Sequence, residues 1–348
     1  MHQTNLISWT KKCVGLFILI IRFTIPILAQ EIKVSAEDII QRAIDNSGGD
    51  SNLDAINSVE FISQIITSEN DTLSFAIKRK GFSKYYISTL STTHVNSTTI
   101  YNNGNAVIIK NETVQKITDP MILEELLLQS YVSINYGYKK LGYKLNRLDD
   151  QKFNYFDCYV VMAESPLEKK TLNYYDKKTG NLIMIVYPNQ NKSLFIDNYQ
   201  AKGIICPSKI LMVDTANKIT QSTLTKINYQ TDLDTNWFNL PNNGIYKAPD
   251  LFQTGHFKYI NSNPGAETIR EKDTQIEING KTRIEYKIKW TSNNDYLLYR
   301  VKNISSPPTN ENTEYFKVRI ITWNGNKYYC QYITSNYIGG TCAFEKME

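Results

Sequence analysis

The side chains that do chemistry are few, and their spacing is poor for it. Beyond residue 29 the chain has two histidines, His94 and His256, far apart in sequence. A histidine metal site needs several imidazoles together, and a Ser-His-Asp triad needs one beside a nucleophile, so both are poorly supplied. Four cysteines remain there, Cys158, Cys206, Cys330 and Cys342, and none forms a CxxC metal pattern. Asp232-x-Asp234-x-Asn236 imitates the opening of a calcium loop, but Trp237 stands where glycine is needed. No bidentate glutamate follows at the required distance, so the stretch reads as a solvated turn. No glycine pattern for phosphate occurs. The scattered carboxylates show no spacing that argues for an acid–base pair. These residues predict no enzyme, no metal and no cofactor.

Redox context gives the cysteines another role. In an oxidising compartment they would pair within each half, Cys330 with Cys342 and Cys158 with Cys206. Cys330 and Cys342 flank a plausible hairpin that would set them opposite each other. The alternative is buried free thiols in strands. Such a compartment is implied by residues 1–29, which read as a signal peptide. Lys11 and Lys12 form its charged part and Val14 to Leu28 its apolar part, with cleavage after Ala29. Arg22 interrupts the run, which is short for a stable transmembrane span. Cys13 precedes the apolar run, so it is not a lipid-modified cysteine at a mature terminus.

The formal charge of +5 is inflated by that segment: removing Lys11, Lys12 and Arg22 leaves 36 basic against 34 acidic residues, or +2. That is no nucleic-acid footprint.

The elements that would position any site are mostly strands. The 24 tyrosines favour β-structure. One early helix stands out. Ser35 and Asp38 write a near capping box. Ala36, Ile39, Ile40, Ala43 and Ile44 then form one apolar stripe. Gly48-Gly49 stops the helix, and a second short turn carries Leu53 and Ile56. A later helix begins at Asp119-Pro120, with Asp as cap and Pro at the first position. Met121, Ile122, Leu123, Leu126, Leu127 and Leu128 make it apolar around much of its circumference, so it is buried or faces a cavity. The two helices are expected to partner each other over one curved sheet. Ile40, Ala43, Ile44, Leu123, Leu126 and Leu127 are the lid or cavity candidates.

Turn signals separate the strands, among them Asn102-Asn103-Gly104, Asp176 to Gly180, Asn279-Gly280 and Asn324-Gly325. Residues 241–249 (PNNGIYKAP) read as a linker. Beyond them no helical period remains, and closely spaced strands predict an up-and-down barrel or a meander. The expected division is 1–29 signal, 31–241 first domain, 242–249 linker and 250–348 second domain.

Some local motifs also have a family likeness. Asp38-Ile39-Ile40, Ala43, Gly48-Gly49, Leu53, Ile56 and Ser58 carry the first part of it. The hairpin Tyr175 to Leu182, the run Asn198 to Gly203 with Cys206-Pro207, and Phe238-Asn-Leu-Pro241 carry the rest. With them, Glu31 to Pro241 resembles the LolA-like superfamily, as seen in outer-membrane lipoprotein-sorting proteins of Gram-negative bacteria. The resemblance implies a mainly β fold, a half-open curved β-barrel covered by short helices, with an apolar cavity for acyl chains. It implies lipid or lipoprotein acyl chains as partners, an envelope protein as a further one, and a place in the periplasm or at the outer-membrane periphery. Arginines that gate the cavity in dedicated carriers have no firm counterpart; Arg79 and Arg147 read as surface strand residues, with a gate as the alternative. From Phe252-Gln-Thr-Gly-His-Phe257 to Ala343-Phe-Glu-Lys346 the chain looks like small, lipocalin-like secreted β-proteins of Bacteroidota. The competing function is an envelope scaffold whose cavity is filled by its own side chains.

Overall fold

The computed structural model describes residues 34–69, 71–91, 96–229, 232–242, 244–260, 265–303, 315–336 and 338–347. The expected signal segment and His94 lie outside the described residues.

The first helix, α1 (Ala36–Asn46), is closed by local chemistry. Asp38 N donates to Ser35 Oγ at 3.0 Å and Ser35 N donates to Asp38 Oδ2 at 3.3 Å. Its five-residue apolar stripe is buried. Gly48 at φ +125° and Gly49 at φ +80° then turn the chain into α2 (Gly49–Ala55). A side chain at Gly48 would meet Gly203 O at 2.6 Å and Ile204 Cδ1 at 2.8 Å. We therefore expect Gly48→Ala to cost about 2 kcal/mol or more, from backbone strain and overpacking together. A urea titration showing less than about 0.5 kcal/mol would contradict this.

Six strands follow as an antiparallel meander: β1 (Ser58–Ile66), β2 (Thr72–Lys80), β3 (Lys84–Ser91), β4 (Ser97–Asn102), β5 (Asn105–Lys110) and β6 (Thr113–Ile117). Two helices come next, α3 (Pro120–Gln129) and α4 (Ile134–Lys140). As its Asp-Pro start predicts, Asp119 caps α3, accepting from Met121 N at 2.8 Å. The second meander holds β7 (Lys144–Arg147), β8 (Gln151–Phe153), β9 (Phe156–Glu164) and β10 (Lys170–Asp176). It continues through β11 (Leu182–Val186), β12 (Lys192–Ala201), β13 (Ile204–Val213) and β14 (Ile219–Tyr229). β14 pairs with β1, Val59 opposite Tyr229, so both meanders make one curved sheet, of 15 strands once β15 is included. β15 (Gly244–Ile245) adds to its β6 edge.

The remaining strands close on themselves. They are β16 (Gly255–Tyr259), β17 (Ala266–Arg270), β18 (Thr274–Asn279), β19 (Thr282–Trp290), β20 (Asp295–Asn303), β21 (Tyr315–Asn324), β22 (Lys327–Thr334) and β23 (Gly339–Lys346). Antiparallel pairing of β16 with β23, Phe257 opposite Lys346, completes an up-and-down barrel and removes its open edges. The fold is thus mainly β, a large curved sheet with short helices and a closed barrel.

Cys330 and Cys342 face each other in the β22–β23 register, with Cα atoms 5.3 Å apart, and are bonded. The expected Cys158–Cys206 pairing is corrected: both are free and buried. They sit on β9 and β13, four strand spacings or about 19 Å apart, far beyond disulfide reach. Cys158 packs with Val160, Tyr174 and Met184, whereas Cys206 belongs to the core beneath α1.

The partnership of the helices is also corrected. α1 packs on α4, and α4 packs on α3. The sequence INYGYKK of α4 has no continuous aliphatic stripe, so its periodicity is faint. It is held by polar contacts from buried rings: Tyr175 Oη donates to Asn135 Oδ1 at 2.7 Å, and Tyr138 Oη to Asn173 Oδ1 at 3.2 Å. Among the described residues no helix is long and apolar enough to cross a membrane.

Strand alternation gives β1–β5 two covered faces. Ile62, Ala76, Tyr86, Ile100 and Val107 form one cluster with Trp237, Phe238, Ile321, Tyr329 and Ala343. The barrel therefore packs on the back of the sheet. Residues 242–249, read as a linker, contribute β15 and the buried Tyr246 and Ala248 to this seam. The hydroxyl of Tyr246 donates to the carbonyl of Ile321 on the barrel. The calcium-like stretch serves the seam as well. Asp234 caps a short 3-10 turn, accepting from Asn236 N at 3.0 Å and from the Tyr329 hydroxyl.

Candidate functional site

The other face of the sheet is concave, and α1, α3 and the segment between α3 and α4 lie across it. Between them is a cavity of about 820 Å³, a size that suits a small molecule or chain. Its floor is written by alternation. From β1 come Phe61, Ser63 and Ile65, and from β2 Phe75, Ile77 and Arg79. Tyr85 and Ile87 of β3 continue the row, and Phe195, Ile210 and Met212 wall the opposite side. Each residue alternates with a neighbour that faces the barrel seam or the outer surface.

Of the candidates read from helical spacing, Ala43 and Leu126 line this cavity. Ile40 and Ile44 lie in the core under α1. Leu123 and Leu127 pack, partly buried, against Tyr85, Tyr101 and Ala106. The strand residues of the floor were missed, although their period of two is visible once a concave face is assumed. Helical stripes mark what a helix buries, not whether the space beyond it is filled.

The lining carries two charged residues, Arg79 and Glu125. Glu125 Oε2 is paired with Lys169 Nζ at 2.5 Å. Arg79 differs from its expected place on the surface. It is half-buried, and its Nε donates to Gln129 O, the last residue of α3, at 2.5 Å. Its guanidinium stands 4.9 Å from the Phe61 ring centroid and 5.6 Å from that of Tyr85. Burial pulls the guanidinium below its ordinary value, against the attraction of Tyr85, Cys206 and Tyr229. Arg147 is also withdrawn from the surface, with Nη1 donating to Val34 O at 2.7 Å and Nη2 to Asp150 Oδ1 at 2.9 Å.

Little in the cavity is reactive. Cys206 lines it, but burial pushes its thiol above the usual value, which keeps it protonated and a poor nucleophile. Among the described residues no group of three His, Cys, Asp or Glu side chains is placed to hold a metal ion. His256 sits on the barrel surface, with Nε2 2.8 Å from Glu267 Oε2. A second depression of about 730 Å³ lies at the barrel, walled by Lys272, Asp273, Lys287, Lys289, Trp290 and Tyr299. Exposed lysines form much of its wall, so it is a surface groove.

No family model matches the chain, and no curated protein does. Solved structures are similar to part of it. One is an outer membrane lipoprotein-sorting protein domain from Vibrio parahaemolyticus, 15% identical, covering 59% of this chain and 97% of that one, with a TM-score of 0.43. Another is a LolA superfamily protein from Nitrosomonas europaea, 13% identical, covering 60% and 98%, with a TM-score of 0.43. A DUF1329 family protein from Desulfovibrio piger is 13% identical, covering 59% and 95%, with a TM-score of 0.43.

Proposed function

We propose that this chain is a non-catalytic, exported protein of the cell envelope that binds a lipid or lipoprotein acyl chain in the cavity under α1 and α3. The observation that carries this reading is the cavity of about 820 Å³, which the protein's own side chains leave unfilled with the helices in place. Its floor of Phe61, Ile65, Phe75, Ile77 and Ile87 offers alkyl and ring surface and no hydrolytic machinery. Burying a chain of about 16 carbons is worth at most roughly 12 kcal/mol, at about 0.8 kcal/mol per methylene. Ordering the chain and moving the helices reduce that sum. A scaffold with a self-filled cavity is the competing reading, and the unfilled volume speaks against it. Export rests on the charged and apolar pattern of residues 1–29.

Native mass spectrometry of protein purified from its own envelope, together with uptake of a fluorescent fatty acid, tests the proposal. We expect a co-purifying lipid and saturable uptake. Ile77→Trp, which places an indole on the cavity floor, should weaken uptake by about tenfold or more, as filling a pocket does. A clean apo mass with no uptake overturns the proposal.

A further inference from the structure

If the cavity takes an acyl chain, its charges say what sits at the chain's end. The inward row of β2 is Phe75, Ile77 and Arg79, so the cation stands about 13 Å from the ring at roughly 3.3 Å per residue. The Arg79 cation therefore stands at one end of this row. At the Arg79 end lie Gln129 at the close of α3 and the rings of Phe61 and Tyr85. Toward the other end are Phe75, Ile65 and Met212, and Met212 is 37% exposed.

Arg79 is unusual for a withdrawn cation. Among the described residues no carboxylate is paired with it; it is held by the rings of Phe61 and Tyr85 and by the Gln129 carbonyl. The other cavity charge, Glu125, is occupied by Lys169. Among the described residues Arg79 hydrogen-bonds through Nε alone, which leaves its two Nη groups for a ligand. A half-buried cation held among rings without an anion favours an anionic ligand, and a planar fork matches carboxylate or phosphate oxygens bidentately. We propose that Arg79 binds the small anionic head of an amphiphile, whose alkyl chain runs along β1 and β2 toward Ile65 and Phe75. A head seated against Arg79 and Gln129 must be small and charged, so free acids are selected over esters and over lipids with bulky heads. This inference rests on the acyl-binding reading and deepens it.

The test is displacement of the neutral probe N-phenyl-1-naphthylamine from the wild-type chain. Competitors are dodecanoate, dodecyl phosphate, methyl dodecanoate and dodecanol. We expect the anions to compete at about tenfold lower concentration or less than the neutral pair, as charge-assisted bidentate bonds would give. Whichever anion competes better identifies the head as carboxylate or phosphate. Arg79→Met should abolish the anion advantage, so that dodecanoate and methyl dodecanoate compete at the same concentration. Equal competition by acid and ester in the wild-type chain overturns the Arg79 assignment without needing any variant, and leaves acyl binding standing. No uptake of the probe or of any amphiphile overturns acyl binding itself.

Discussion

Lys78→Met will destabilise the chain by about 3–5 kcal/mol at neutral pH, the usual cost of stranding one half of a buried ion pair. Lys78 is 1% exposed, yet it is charged and lies at the seam between sheet and barrel. Its ammonium pairs with Glu60 and donates to Thr341 Oγ1 of β23 at 3.0 Å. It also lies 4.2 Å from the Trp237 ring centroid. Glu60 is completed by Asn228 Nδ2 at 3.1 Å and by the Thr341 hydroxyl at 2.5 Å. Methionine would fill the volume but leave that carboxylate buried with neutral donors only. Glu60→Gln in the same background should restore most of the loss, because the pair is then removed together.

The pH dependence gives the same prediction a second reading. Burial raises the Glu60 carboxyl, but attraction and hydrogen bonds from Lys78, Thr341 and Asn228 outweigh it and hold the group at about 2. A carboxyl depressed on folding contributes stability above its unfolded value of 4.5, and that contribution is lost as pH falls from 4.5 toward 2. The Lys78 ammonium is pushed down by burial, which Glu60 offsets only in part, so the pair's net gain is smaller than the Glu60 shift alone implies. In Lys78→Met the carboxyl should instead rise above its unfolded value. Protonation then relieves the variant, and the gap between variant and wild type narrows on acidification. Urea titrations at pH 7 and pH 4 measure both effects. A variant within about 1 kcal/mol of wild type, or a gap that widens in acid, contradicts the assignment.

Arg270→Met should cost a similar amount, about 3–5 kcal/mol, and act inside the barrel. Arg270 is 1% exposed and enclosed by rings, 4.8 Å from the Tyr296 centroid and 5.0 Å from that of Phe257. Its Nη1 donates to Phe252 O at 2.6 Å and its Nε to Gln275 Oε1 at 2.9 Å. Its Nη2 donates to the hydroxyls of Tyr296 and Tyr328, both at 2.9 Å. One guanidinium thus satisfies four acceptors and ties a short 3-10 turn, Asp250–Phe252, to three strands. Removing it strands all four and gives up the ring contacts. Lysine keeps the charge but not the planar fork, so Arg270→Lys should recover only part of the loss. Denaturation followed by tyrosine near-UV dichroism reads this directly. Full stability in the methionine variant would show that the polar cluster is dispensable and that aromatic packing alone closes the barrel.

How much of this was legible depends on how local the cause is. Ser35 and Asp38 cap α1, Gly48-Gly49 ends it and Asp119-Pro120 starts α3, because partners within four residues decide each case. The Cys330–Cys342 bond followed from the same reasoning, since a hairpin sets its register. The fold class was legible too, since tight turns separate short strands throughout. By contrast, α4 carries no aliphatic stripe and depends on Asn173 and Tyr175 of β10.

What tertiary structure alone decided is which face of each strand meets what. In β2, Ala76 and Lys78 face the barrel while Phe75, Ile77 and Arg79 face the cavity. By residue type, Lys78 and Arg79 read as exposed, because lone cations stay in water. Lys78 is buried because Glu60 is 18 residues away and Thr341 is 263 away, and the fold brings both to its ammonium. Arg79 faces an unfilled cavity because α3 ends over it. Alternation in the sequence determined that β2 has two different faces. Only the packed chain determined that one face is a sealed seam and the other is open space, since both covering elements arrive from distant segments and leave no period in β2 itself.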